Sequence, residues 1–150
     1  MKYPIGIQDF EKIIEDGYVY VDKTELVYKL ANEGHIYFLS RPRRFGKSLL
    51  ISTLKYYFQG RKDLFRGLAI DKLETKWAEY PVFHLSFGSA NFTKHGTLDE
   101  VIDNYLADFE NDYPTNTKPR DFGIRFASIL KAAHKKTGRR AVVLIDEYDK

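Results

Sequence analysis

The chain has 150 residues, enough to bury a substantial core, and its 43% hydrophobic and 30% charged residues exclude a disordered or membrane-embedded polymer. A net charge of +3 argues against nucleic-acid binding by bulk charge and leaves only a local basic patch open. The absence of cysteine excludes disulfides and thiolate metal sites. No apolar run is long enough to span a bilayer, and Met1-Lys2-Tyr3-Pro4 leads into Asp9, Glu11 and Glu15 without an apolar leader, so a cytoplasmic location with no membrane partner is expected.

In chain order, Gln8 to Gly17 predicts a short helix with Phe10, Ile13 and Ile14 on one face and Gly17 as a left-handed stop. Tyr18-Val19-Tyr20-Val21 predicts a strand. Asp22 predicts an N-cap with Glu25 completing a capping box, and Leu26, Val27, Leu30 and Ala31 are the stripe of a helix that Gly34 ends. Ile36 to Ser40 predicts a strand. Lys47 to Gln59 predicts a helix stopped by Gly60, with Leu50, Leu54, Tyr57 and Phe58 at helical spacing. A single turn over Asp63 to Gly67 and a polar helix over Asp71 to Glu79 follow.

Val82 to Phe87 predicts a strand, and Gly88 to Gly96 a polar loop. Val101, Ile102, Tyr105, Leu106 and Phe109 predict a helix that begins at Leu98 and ends before Pro114. After a linker over Pro114 to Pro119, a helix through Phe122, Phe126, Ile129, Leu130 and Ala133 closes at Gly138. The continuous apolar run Ala141 to Ile145 predicts a strand buried on both faces of a parallel sheet. Strands alternating with helices give an α/β fold class.

Two stretches carry chemistry. In Arg41-Pro42-Arg43-Arg44-Phe45-Gly46-Lys47-Ser48, a strand feeds a basic loop that closes on Gly-Lys-Ser and opens a helix, the order of a phosphate-binding loop. Backbone amides over Gly46 to Leu49 suit a polyphosphate, Lys47 reaches the outer phosphates, and Ser48 offers a hydroxyl to Mg2+. Arg41 stands where the usual pattern has glycine, so only the second half of the motif is intact. The second stretch is Asp146-Glu147, which ends an apolar strand about 100 residues further on, in the Walker B manner. Asp146 is the candidate metal carboxylate and Glu147 the candidate general base. A buried strand that merely ends in solvated acids is the alternative, and the pairing of the two motifs argues against it.

The runs Ile5 to Phe10, Tyr20 to Thr24, Arg41 to Ser48 and Leu144 to Lys150 resemble the AAA-ATPase-like family, bacterial proteins with an N-terminal P-loop ATPase-like domain often followed by a restriction-endonuclease-like (PD-(D/E)xK) domain. The resemblance covers essentially the whole chain. It implies a P-loop sheet flanked by helices, ATP and Mg2+ as cofactors, Arg41 as the family's own variation, and residues 1–150 as the N-terminal part of one domain truncated after the Walker B strand. A further strand, a sensor residue and an arginine finger would then lie beyond residue 150, and the fragment alone is expected to be a weak ATPase, unstable around a gap in its sheet. Oligomerisation, or another chain filling that gap, is compatible with this.

Arg43 and Arg44, followed directly by Phe45, are candidates for the nucleotide, because guanidinium suits phosphate. Asp22, Lys23 and Thr24 are candidates near the base, although capping accounts for them. His35, His84, His95 and His134 have no metal spacing. Ser86 and Asn91 follow a strand end on the active edge, as polar loop residues commonly do. Lys131, Lys135, Lys136, Arg139 and Arg140 fit helix-dipole complementarity better than DNA contact. The expected function is Mg2+-dependent ATP hydrolysis that drives or gates an attached activity such as a nuclease. The alternatives are a nucleotide-sensing or interaction module without turnover, and a DNA-binding module with steep salt dependence.

Overall fold

The computed structural model describes residues 1–33, 47–87, 98–115 and 121–146. They fall into two compact units, Met1–Glu79 and Tyr80–Lys150. Of the sequence expectations, the Ile36 to Ser40 strand, the basic loop through Gly46, Asn91 and Glu147 lie outside the described residues.

The first unit is helical: α1 (Phe10–Glu15), α2 (Thr24–Glu33), α3 (Lys47–Phe58), a 3-10 turn (Lys62–Phe65) and α4 (Ala69–Leu73). Asp9 caps α1 by accepting from the Lys12 N–H, and Gly17 takes the positive φ of 72° that ends it. The core gathers Phe10, Val27, Leu50, Tyr56, Tyr57, Leu64, Phe65 and Ile70. Its aromatic rings pack closely, with Phe10 and Phe65 centroids 4.8 Å apart and Phe65 and Trp77 5.2 Å apart.

Two expectations in this unit are corrected. Tyr18 to Val21 is not a strand: the Tyr18 N–H goes back to the Ile13 carbonyl at 2.9 Å, and Val19 donates to Lys2 at 2.7 Å. Those bonds satisfy the backbone locally and leave Val21 72% exposed. The polar helix around Trp77 is instead the five-residue α4, which starts earlier and stops at Glu74; Trp77 itself has a positive φ of 48°. Gly60 must be glycine here, because at φ +72° a Cβ would stand 2.9 Å from the Trp77 carbonyl oxygen.

The second unit contains β1 (Val82–Ser86), α5 (Leu98–Asp112), α6 (Phe122–Thr137) and β2 (Val142–Asp146). The two strands pair in parallel with Val82 opposite Val142 and Ser86 opposite Asp146. Parallel pairing requires a long crossover, and α5 and α6 lie within it. Phe83 on one sheet face packs with Leu106 of α5 and with Ile129 and Ala133 of α6. Asp121 caps α6 through the Ile124 N–H, and Gly138 closes it in the left-handed conformation with its N–H on the His134 carbonyl. Arg125 ties the helices together through Asp103 and Glu110 of α5. The fold is therefore α/β, with a small parallel sheet. Burial of β2 on both faces is corrected: Val143 and Ile145 are 39% and 46% exposed. An apolar run reports that a strand can be covered, and here the surrounding described residues cover β2 only in part.

Candidate functional site

The two sequence motifs fall in different units. In the first, Lys47 is the opening residue of α3, followed by Ser48 and Leu49. The first N–H groups of a helix have no partner within it and give its start a positive field. No acidic residue stands in the first turn of α3 to neutralise that field. Lys47, Ser48 and Leu49 are half-buried, whereas the next four residues, Leu50 to Thr53, are buried.

What holds α3 in place is a network the sequence did not announce. Ser52 Oγ accepts from the Phe10 N–H at 2.9 Å and donates to Asp9 Oδ1 at 3.2 Å. The Tyr56 hydroxyl donates to the same Asp9 oxygen at 2.7 Å. Burial, then this bond to Asp9, raises the Tyr56 phenol well above its ordinary value. One carboxylate thus caps α1 and fastens it to the helix that carries Lys47. Thr53, also buried, is satisfied by donating to the Leu49 carbonyl at 2.7 Å.

Asp22 and Thr24 are occupied by capping. Asp22 Oδ1 accepts from the Thr24 N–H at 2.9 Å and from the Thr24 hydroxyl at 2.6 Å, and Oδ2 accepts from the Ala69 N–H at 2.7 Å. The fully buried Thr24 hydroxyl also accepts from the Ile70 N–H at 3.0 Å. The pair therefore serves the starts of both α2 and α4, a wider duty than the expected capping box with Glu25. Partial burial pushes the Asp22 carboxyl up, but the Thr24 and Ala69 donors outweigh it and leave the group below its usual value.

In the second unit, Asp146 ends β2 and is only 5% exposed. Its Oδ1 has no hydrogen-bond partner among the described residues. A buried carboxylate oxygen without a donor is costly unless something else satisfies it. Side chains alternate along a strand, and in-register partners share a face. Asp146 therefore lies on the face of Leu144, His84 and Ser86, opposite the one on which Phe83 meets α5 and α6. The ladder continues one step past the strand, with Phe87 donating to the Asp146 carbonyl at 3.2 Å.

Mg2+ is held by one or two carboxylates together with phosphate and water oxygens. A lone orphaned carboxylate such as that of Asp146 is a donor of that kind. Among the described residues no three His, Asp or Glu side chains group as a cage for a cation. Arg43, Arg44, Phe45, Gly46 and Glu147 lie outside the described residues. At the end of α6, Lys136 donates to the Asp112 carbonyl at 3.3 Å, and the Arg139 guanidinium lies 5.6 Å from the centre of the Tyr80 ring. Those contacts fit the helix-end explanation of the basic cluster.

A family profile described as "Predicted AAA-ATPase" matches residues 4–150. The chain belongs to the AAA-ATPase-like family. A curated relative in this comparison, an uncharacterized protein in the vnfD 5' region of Azotobacter chroococcum mcd 1, is 43% identical over 150 residues. That alignment covers 99% of this chain and 29% of the relative, so the chain spans less than a third of the relative's length. No solved structure matches. No helix among the described residues is long and apolar enough to cross a membrane.

Proposed function

We propose that this chain is the nucleotide-binding part of a P-loop ATPase, and that Lys47 with the Gly46 to Leu49 amides binds the phosphates of ATP. Ser48 and Asp146 are the residues that would hold Mg2+, which would supply charge neutralisation at the phosphoryl oxygens. Glu147 takes the proton of the attacking water, and Arg43 and Arg44, just ahead of Phe45, clamp phosphate oxygens. Hydrolysis drives or gates an activity elsewhere in a longer cytoplasmic protein, with a nuclease-like domain, nucleic acid and further subunits as candidate partners. The observation that carries this reading is the buried, unpartnered Oδ1 of Asp146 at the C-terminal end of a parallel strand, where α/β sheets bind their ligands.

The test is a titration of labelled ATP with and without Mg2+. Lys47→Ala removes a charge-assisted contact and is expected to weaken binding about 10- to 100-fold. Glu147→Gln should keep affinity and lower turnover by about 100-fold or more. Equal ATP affinity in wild type, Lys47→Ala and Asp146→Asn would overturn the assignment. Unchanged turnover in Glu147→Gln would remove Glu147 as the base, and ATP binding with no turnover in wild type would leave a binding module.

A further inference from the structure

Ser86 is the in-register partner of Asp146 across the parallel pair, at the strand ends. Adjacent strands lie about 4.8 Å apart and in-register side chains share a face. The Ser86 hydroxyl and the orphaned Asp146 carboxylate therefore stand side by side, within the span of one hydrated ion. The main chain of Ser86 is held with unusual firmness. The Tyr105 hydroxyl of α5 accepts from the Ser86 N–H at 3.0 Å and donates to the Ser86 carbonyl at 2.7 Å. Phe87 directs its N–H to β2, so the N–H of its neighbour Ser86 faces the opposite edge of β1, and Tyr105 occupies that edge. The Phe87 and Tyr105 rings, 6.2 Å apart and nearly perpendicular, brace the same corner. This clamp uses both main-chain groups of Ser86 and leaves the side-chain hydroxyl outside it.

We propose that Ser86 is a second protein contact of the ion held at Asp146, its hydroxyl accepting from a metal-bound water, and that Tyr105 is the positioning residue that fixes it. The proposal rests on Asp146 being the metal carboxylate, and it adds a strand, β1, and a helix, α5, to the metal end of the site. Outer-sphere partners commonly change metal affinity about 10- to 100-fold.

The probe is Mn2+ in place of Mg2+, titrated in the presence of ATP and followed by the paramagnetic resonance of the unbound ion. Ser86→Ala is expected to weaken Mn2+ binding about tenfold, with ATP affinity in chelator unchanged. Ser86→Thr keeps the hydroxyl on a residue that strands favour and should restore wild-type binding. Tyr105→Phe should shift affinity the same way by a smaller factor. Mn2+ affinity within twofold of wild type in Ser86→Ala, with Asp146→Asn impaired, overturns the role of Ser86 and leaves Asp146 standing. Equal Mn2+ binding in wild type and Asp146→Asn overturns both.

Discussion

Thr24→Val separates a structural from a ligand-binding role for the Asp22 to Thr24 segment. Valine has nearly the shape of threonine, so the change removes a hydroxyl without opening a cavity. Thr24 and Ile70 are both fully buried, and the Ile70 N–H, in the first turn of α4, has the Thr24 oxygen as its acceptor at 3.0 Å. Leaving that donor unsatisfied costs about 1–3 kcal/mol. Asp22 loses one of three donors but keeps the Thr24 and Ala69 N–H groups, so its share adds less than about 1 kcal/mol. The sum, about 1–4 kcal/mol, corresponds to a Tm fall of roughly 3–12 °C for a chain of this size. Trp77, the only tryptophan, packs against Tyr57 and Phe65 in the same unit and reports its unfolding in urea by fluorescence. An unchanged urea midpoint would refute the capping account. So would weaker ATP binding at unchanged stability, because Thr24 would then serve the ligand.

Two further outcomes use the same reporter. Gly60→Ala should lower stability by about 2–3 kcal/mol, since it combines a left-handed backbone with a clash against the Trp77 carbonyl. Gly67→Ala, at φ +78° with open space around it, should cost only about 1 kcal/mol, and equal urea midpoints for the two variants would contradict the geometry. The Asp22 and Glu74 carboxyls both lie below their ordinary values of 3.8 and 4.5; in each, burial raises the group but hydrogen bonds prevail, from Thr24 and Ala69 in one case and from Tyr57 and the Lys76 and Trp77 amides in the other. A depressed carboxyl stabilises the fold fully above its unfolded value and loses that contribution as pH falls through the folded one. The urea midpoint of the first unit should therefore hold down to about pH 5 and fall below about pH 4, less steeply in Asp22→Asn; a flat profile to pH 3 would exclude it.

The helices were legible wherever an apolar spacing met a stop signal, as in α6, where Asp121 and Gly138 bracket the run through Ile129 and Ala133. Tyr18 to Val21 misled because β-favouring residues in a run of four say nothing of where their backbone groups find partners. Those partners, Ile13 and Lys2, precede the run in sequence. The apolar letters of β2 likewise encode the capacity for burial, while the exposure of Val143 and Ile145 depends on what lies against them. The candidates Lys47, Ser48 and Asp146 could be singled out in the sequence because each motif is local, a few residues beside a strand or helix signal. The ties that hold them were not. Asp9 meets Ser52 across 43 positions and Ser86 meets Tyr105 across 19, and neither pair has a spacing rule to reveal it.

The first nine residues could pass for a dispensable leader, with Met1 almost wholly solvated and Ile5 90% exposed. Yet Asp9, at their end, bolts the neighbouring helix to the one that begins at Lys47. Trimming the amino terminus past that aspartate would be expected to loosen the start of α3 from a distance, because its ties to Ser52 and Tyr56 go with it.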